Sequence, residues 1–168
     1  MPMSAVTQYI ELFCGHRAMV DANGAGPLNL LRDEACRVLE KHPLPAKGAE
    51  DYQDTDLDAM LAPDFGLNLD KIEIDVNPAA TFRCDVPLVK SSLFLMENDT
   101  LVSAEGAEDS LPEGVLAGSL RKFAREYPDL VEKYYGKAAG LENPIVALDT
   151  MFAQDGLFLY VPRGARLE

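Results

Sequence analysis

The chain has 168 residues and a formal net charge of −13, from 28 acidic and 15 basic side chains. Such a surface repels phosphate backbones and anionic lipids, which argues against nucleic-acid binding and membrane-surface binding. Hydrophobic residues make up 48% and charged residues 26%, as is typical of a folded globular chain. No apolar run approaches the roughly 20 residues of a membrane-spanning helix. The three cysteines are odd in number and widely spaced, which favours reduced thiols in the cytoplasm.

The first third of the chain is predicted to be helical. A helix starts at Ser4 and stops at Asn23-Gly24, with apolar residues recurring at helical spacing at Val6, Tyr9, Ile10 and Phe13. Gly26-Pro27 opens a second helix, which ends before Pro43 and buries Leu28, Leu31, Ala35, Val38 and Leu39. After a polar linker, a short amphipathic turn carries Leu57, Met60 and Leu61 and is closed by Pro63.

The pattern changes from helical to alternating after Gly66. Lys71–Val76 alternates polar and apolar residues and predicts a half-buried strand. A second alternation follows, with Phe82, Cys84 and Val86 on the inward face. Leu93–Met96 and the residues after Asn98-Asp99 predict a hairpin. These strands form a small, mainly antiparallel sheet.

Strands and helices alternate in the last third. A short strand is predicted at Val115–Ala117, and three helices follow it. The first carries the apolar face Leu120, Phe123, Ala124 and Tyr127, and the second runs from Pro128 to Gly136. The third starts at Asn143-Pro144 and carries Ile145, Leu148, Met151 and Phe152. The last strand, Leu157–Val161, is apolar on both faces. The fold class is α+β, with an N-terminal helical region over residues 1–64 and a mixed region over residues 65–168.

The histidines and cysteines do not form a recognisable catalytic or metal-binding pattern. His16 and His42 are interpreted as surface or helix-end residues, and Cys14, Cys36 and Cys84 as packed apolar side chains. Iron–sulfur sites usually place thiolates at short spacings such as C-x₂-C, which these cysteines lack. We therefore predict no catalytic, cofactor-binding or metal-binding residue in this chain.

Two further segments could bind ligands but have simpler interpretations. Residues 23–27 (NGAGP) contain G-x-G yet lack the preceding strand and third glycine of a dinucleotide site, so they are interpreted as a helix boundary. Residues 50–56 (EDYQDTD) lack the turn glycine and distal glutamate of a calcium loop, and are interpreted as a solvated linker.

Three stretches of the chain resemble the SufB/SufD family of iron–sulfur assembly proteins, and SufD more than SufB. Residues 143–164 (NPIVALDTMFAQDGLFLYVPRG) are similar to the family's A-L-N-T-A-F helix, glycine and F-x-Y-V-P-K-G strand. Residues 111–115 (LPEGV) and 127–136 (YPDLVEKYYG) resemble its L-P-x-G-V strand and following helices. Residues 50–57 (EDYQDTDL) resemble the SufD pattern E-E-W-K-Y-T-D-L, with Tyr in place of Trp.

The resemblance implies a non-catalytic scaffold component that acts through protein–protein contacts. In this family helices precede a right-handed parallel β-helix, the chain pairs with a SufB-like subunit and a SufC-like ATPase, and the full complex builds the iron–sulfur cluster. We expect this chain to be the N-terminal part, with Leu157–Val161 as the strand that enters the β-helix and as an edge with unpaired backbone groups that can self-associate.

Two other functions remain open at this point. One is a stand-alone acidic α+β module that binds a basic protein partner. The other is an enzyme with Cys14 or Cys84 as nucleophile, although neither cysteine has a visible activating base in the sequence.

Overall fold

The first helix of the computed structural model begins and ends where the sequence predicts. The structure describes residues 4–63, 69–71, 94–103 and 111–166. Helix α1 spans Ala5–Asn23, and the Ser4 side chain caps its start by accepting a hydrogen bond from the amide of Thr7 (3.3 Å). Non-helical angles at His16 (φ −121°, ψ 15°) kink the helix. The buried face carries Ala5, Val6, Phe13 and Val20.

The second predicted helix is two helices, α2 (Gly26–Asn29) and α3 (Arg32–Lys41), so the prediction of one continuous helix is wrong. Its apolar stripe serves two different cores. Leu28 packs with Phe123 and Val131, whereas Ala35 and Leu39 pack against α1. The break at residues 30–31 lets each part face its own core, and Leu30 at the break is exposed.

The segment after α3 folds into two short helical turns. Glu50–Tyr52 forms a 3₁₀ turn, and α4 spans Leu57–Leu61. Asp56 caps α4 by accepting from the amide of Ala59 (3.0 Å). Leu57 is buried as predicted, but Met60 is exposed, so the predicted apolar face of this turn is only partly correct.

The predicted hairpin is confirmed. Strand β1 (Phe94–Glu97) pairs antiparallel with β2 (Thr100–Ser103), with Glu97 opposite Thr100. The two turn residues, Asn98 and Asp99, have φ angles of 43° and 64°. This left-handed pair is the turn geometry that matches the twist of paired strands.

The other strands predicted in the middle of the chain fall almost entirely outside the residues that the structure describes. All of the predicted strand Lys71–Val76 except its first residue lies outside the described residues. The alternation at Phe82, Cys84 and Val86 also lies outside them.

The last third contains every element that the sequence predicts. Strand β3 (Leu116–Ser119) leads into α5 (Leu120–Glu126), α6 (Pro128–Tyr134), α7 (Pro144–Phe152) and strand β4 (Leu157–Tyr160). Strands β3 and β4 pair antiparallel, with Leu116 opposite Tyr160 and Ala117 opposite Leu159. The chain is thus α+β with two small antiparallel sheets among the described residues.

Two apolar clusters hold these elements together. The first joins α1, α3 and α4 to α7, where Ala147 and Met151 are fully buried. The second joins α2, α5 and α6 with apolar residues of β3 and β4. Helix α7 therefore shares a core with the N-terminal helices, while the domain boundary predicted after residue 64 stays a prediction. In the part of the chain that the structure describes, no helix is long and apolar enough to cross a membrane.

Candidate functional site

Arg32, at the start of α3, is completely buried (0% exposed). Its Nη1 donates to the carbonyl oxygen of Met151 (2.7 Å) and its Nη2 to that of Ala153 (2.6 Å), both at the end of α7. Its Nη2 also lies 3.5 Å from the carbonyl oxygen of Val20, and its Nε donates to Asn29 Oδ1 (3.0 Å). The last carbonyls of a helix lack partners within that helix, so the guanidinium supplies donors at the end of α7. It also approaches the Val20 carbonyl near the end of α1, which already accepts from the amide of Gly24 (3.1 Å).

The charge of Arg32 is balanced by Asp21. Asp21 Oδ1 lies 3.3 Å from Arg32 Nε but makes no hydrogen bond, because that nitrogen donates to Asn29. The other carboxylate oxygen accepts from Arg17 Nε (2.6 Å). Burial lowers the pKa of the Arg32 guanidinium, and the Asp21 carboxylate opposes that shift. Arg32 is thus a structural hub, that is, a side chain that joins several helices. No pattern in the sequence predicts this role.

The turn between α7 and β4 carries a second polar network. Gln154 is almost fully buried, accepts from Asn23 Nδ2 (2.7 Å) at the end of α1, and donates to Asp99 Oδ2 (2.8 Å) in the hairpin turn. Asp99 Oδ1 in turn accepts from Lys71 Nζ (2.7 Å). Asn23 Nδ2 also donates to the carbonyl oxygen of Leu69. These contacts connect the hairpin to the helical core.

Asp155, the next residue, fixes the start of α5. Its Oδ1 accepts from the Ser119 hydroxyl (2.8 Å) and from the amide of Arg121 (2.9 Å). Its Oδ2 accepts from the amide of Leu101 in β2 (3.3 Å). One carboxylate therefore links β2, the β3–α5 junction and the approach to β4.

Strand β4 presents different faces to the core and to solvent. Phe158 packs against Phe123 of α5, with ring centroids 5.0 Å apart. The alternate side chains Leu157 and Leu159 are 50% and 53% exposed, and Val161 just after the strand is also exposed. These three exposed apolar side chains, at alternate positions along β4 and just after it, form a surface suited to contact with another protein. This set, Leu157, Leu159 and Val161, is the β4 face.

The sequence predicts that this strand is an edge with unpaired backbone groups. Strand β4 pairs with β3 along one side and is an edge strand of that two-stranded sheet. Among the described residues, β4 pairs with β3 alone. A parallel β-helix beginning at this strand stays a prediction.

Both histidines lie where the sequence analysis placed them. His16 is exposed at the kink of α1, and its Nδ1 donates to the carbonyl oxygen of Leu12 (3.0 Å). A carbonyl can only accept, so Nδ1 carries the proton. His42 is exposed at the C-terminal end of α3.

Cys14 and Cys36 lie side by side. Cys36 is buried as predicted, but Cys14 is exposed, so its predicted role as a packed apolar side chain is wrong. Cys14 follows the buried Phe13 and is turned about 100° away from it around the helix. Burial, followed by interaction with Cys14, raises the pKa of Cys36 to about 11. Cys84 lies outside the described residues.

The two segments considered as ligand loops have structural roles. Gly24 caps the end of α1 and Gly26 begins α2. A Cβ at Gly24 would lie 2.7 Å from Arg32 Nη2 and 2.8 Å from Asn29 Oδ1, so the glycine is needed for close approach to the buried arginine. In the acidic segment, Asp56 caps α4.

Comparison with known proteins identifies the family. The family model described as "SufBD protein N-terminal region" matches residues 3–168. The chain belongs to the SufBD family. It is 28% identical over 123 residues to an iron–sulfur cluster assembly SufBD family protein of Arabidopsis thaliana, which covers 73% of this chain and 24% of that protein.

Other SufBD relatives match over shorter stretches. The iron–sulfur cluster assembly protein SufD of Bacillus subtilis is 29% identical over 86 residues, or 50% of this chain and 20% of that protein. A second Arabidopsis thaliana member, described as chloroplastic, is 39% identical over 54 residues, or 32% of this chain and 10% of that protein. The chain thus spans a quarter or less of the length of these relatives. No solved structure matches it.

Part of the polar networks lies in a stretch that resembles the SufBD family. Residues 143–164, which resemble the family's helix, glycine and strand, fold as α7, the Gln154–Asp155 turn and β4. Their two polar turn residues are those that bind α1, the hairpin and α5. The motif therefore specifies how the elements join, and the β4 face is the part of it left exposed. The relatives that the chain matches are described as iron–sulfur cluster assembly proteins.

Proposed function

We propose that this chain is the N-terminal part of a SufD-type scaffold component of iron–sulfur cluster assembly, acting in the cytoplasm and not as an enzyme. The SufBD match over residues 3–168 is the observation that carries the proposal. The structure adds support, because the polar side chains of the family-like motif are engaged in packing its own elements together. The cluster is the product of the whole assembly, not a cofactor of this chain.

The proposed partners are a SufB-like chain and a SufC-like ATPase, which act with the full-length protein. The assay is co-purification of the full-length protein from its source, with both partners identified by mass spectrometry. We expect the two chains to copurify at stoichiometric amounts. Recovery of the full-length protein without either partner would refute the scaffold proposal.

The second proposal concerns the 168-residue chain alone, which self-associates through the β4 face. Full burial of a leucine is worth about 1.5–3 kcal/mol, so covering the exposed halves of Leu157 and Leu159 contributes about 2 kcal/mol per copy. Strand β4 also offers a short paired ribbon to which a second copy can add.

Self-association is tested with Leu157→Thr plus Leu159→Thr, since threonine keeps strand propensity and shortens the apolar side chain. Sedimentation velocity measures the dimer dissociation constant, and we expect it to rise by roughly 30-fold or more. The matched control is Leu30→Thr plus Met60→Thr, two similarly exposed apolar residues outside the β4 face. A monomeric parent chain, or equal weakening in the control, contradicts the proposal.

The stand-alone acidic module is the alternative function, and the net charge of −13 favours it. It predicts that the 168-residue chain binds a basic protein by itself and that the affinity falls steeply as salt is raised from 50 to roughly 200 mM. Affinity that requires the full-length protein, and that is insensitive to salt, supports the scaffold role instead.

A further inference from the structure

The two cysteines that the structure brings together belong to different helices. Cys14 lies on α1 and Cys36 on α3, which pack against each other. Both line one surface depression of about 440 Å³. Cys14 is exposed and Cys36 is buried, and the two thiol groups lie within hydrogen-bonding reach of each other. A small solute can therefore reach Cys14 while Cys36 lies in contact with it.

The walls of this depression are charged and held in place. Arg17 is fixed by its hydrogen bonds to Asp21 and Asp33. Arg37 is oriented by a hydrogen bond from its Nε to the carbonyl oxygen of Asp33 (3.1 Å). Both arginines line the depression with the cysteines, as does Asp33, so its walls carry both signs of charge.

We propose that Cys14 and Cys36 form an oxidation site that closes to an intramolecular disulfide between α1 and α3 when the protein meets a hydroperoxide. This role is independent of the scaffold function. The exposed Cys14 is the residue attacked first and Cys36 is the resolving thiol.

The chemistry balances in two steps. The Cys14 thiolate attacks one oxygen of hydrogen peroxide, the O–O bond breaks, and with one proton a sulfenic acid and water form. The Cys36 sulfur then attacks Cys14 Sγ, its proton passes to the departing hydroxyl, and a second water leaves as the S–S bond forms. Two thiols are oxidised and one peroxide is reduced to two waters. The raised pKa of Cys36 favours its less reactive thiol form, so the exposed Cys14 is the cysteine oxidised first.

The experiment counts and locates thiols in the folded 168-residue chain. The reduced protein is treated with one equivalent of hydrogen peroxide, blocked with N-ethylmaleimide, digested without reductant and analysed by mass spectrometry. We expect the three free thiols of the chain to fall to one, with a peptide linking Cys14 to Cys36. Dithiothreitol should restore all three. The same treatment in concentrated urea should give the bridge at least roughly tenfold more slowly, because the fold supplies the proximity.

Matched variants separate this pair from the third cysteine. Cys84→Ser should form the bridge at the parent rate. Cys14→Ser changes an exposed residue and should fold normally, and its Cys36 should stay a free thiol after the same peroxide treatment. A bridge that involves Cys84, a bridge only between two chains, or Cys14 oxidised to sulfinic acid beside a free Cys36 would each overturn the proposal.

Discussion

Replacing Arg32 with methionine removes a buried guanidinium that lies between the ends of α1 and α7. The two shortest contacts, 2.7 Å to the Met151 carbonyl and 2.6 Å to the Ala153 carbonyl, are hydrogen bonds from a charged donor. Such bonds contribute about 1.5–3 kcal/mol each, and their loss leaves two buried acceptors without this partner. Relief of the cost of burying the charge, and the apolar fit of methionine, offset part of the loss. The expected net destabilisation is about 4 kcal/mol, a large share of the stability of an ordinary domain.

The measurement is urea unfolding followed by far-ultraviolet circular dichroism. With a slope of about 2 kcal/mol per molar urea, the Arg32→Met midpoint should fall by about 2 M. Arg32→Lys keeps the charge but lacks the planar guanidinium that reaches both carbonyls. It should therefore lower the free energy of unfolding by an intermediate amount, about 2 kcal/mol.

Arg37→Met is the matched control, because Arg37 is an exposed arginine on the same helix. Its free energy of unfolding should stay within about 0.5 kcal/mol of the parent. Our interpretation of Arg32 as a hub fails if Arg32→Met unfolds within 1 kcal/mol of the parent at an unchanged slope, or if it is more stable.

Three further predictions concern the cap, the turn and the buried thiol. Gly24→Ala places a Cβ against the fixed guanidinium of Arg32 and should cost about 1–3 kcal/mol in the same unfolding assay, whereas Gly15→Ala, in open space on α1, should be neutral or stabilising. Asp155→Ala removes three accepted hydrogen bonds and should cost about 2–3 kcal/mol, with the asparagine variant losing less; equal losses would exclude the two-oxygen arrangement. The pKa of Cys36 is raised in the folded state, so the unfolded chain loses the thiol proton at a lower pH than the folded chain does. The free energy of unfolding of the reduced protein should therefore fall as pH rises from 9 to about 11. The Cys36→Ala variant should lack that part of the fall.

The elements that the sequence predicts correctly are those whose signals are local. Ser4 before α1, Asn143-Pro144 before α7 and the Asn98-Asp99 turn each act within a few residues, so the chain itself indicates them. The family resemblance also indicates how residues 143–164 fold, because a resemblance of this kind depends only on the order of residues along the chain.

The features that the sequence does not predict depend on distant contacts. The break between α2 and α3 arises because Leu28 and Leu39 face different cores. Arg32 looks like an ordinary helix residue, and its carbonyl partners lie 119 and 121 residues further along the chain. The pairing of Cys14 with Cys36 similarly requires the packing of α1 on α3, which no short motif encodes.

The exposure of the β4 face also depends on contacts that are distant along the chain. Gln154 and Asp155 bind α1, the hairpin and the start of α5, and Phe158 fills the second core. These contacts hold the strand in one orientation and turn its remaining apolar side chains, Leu157 and Leu159, outward. A rigidly held apolar row loses little conformational freedom when another protein covers it, so more of its hydrophobic gain appears as affinity. One side of β4 therefore packs the motif into the core, and the other side presents the proposed contact surface.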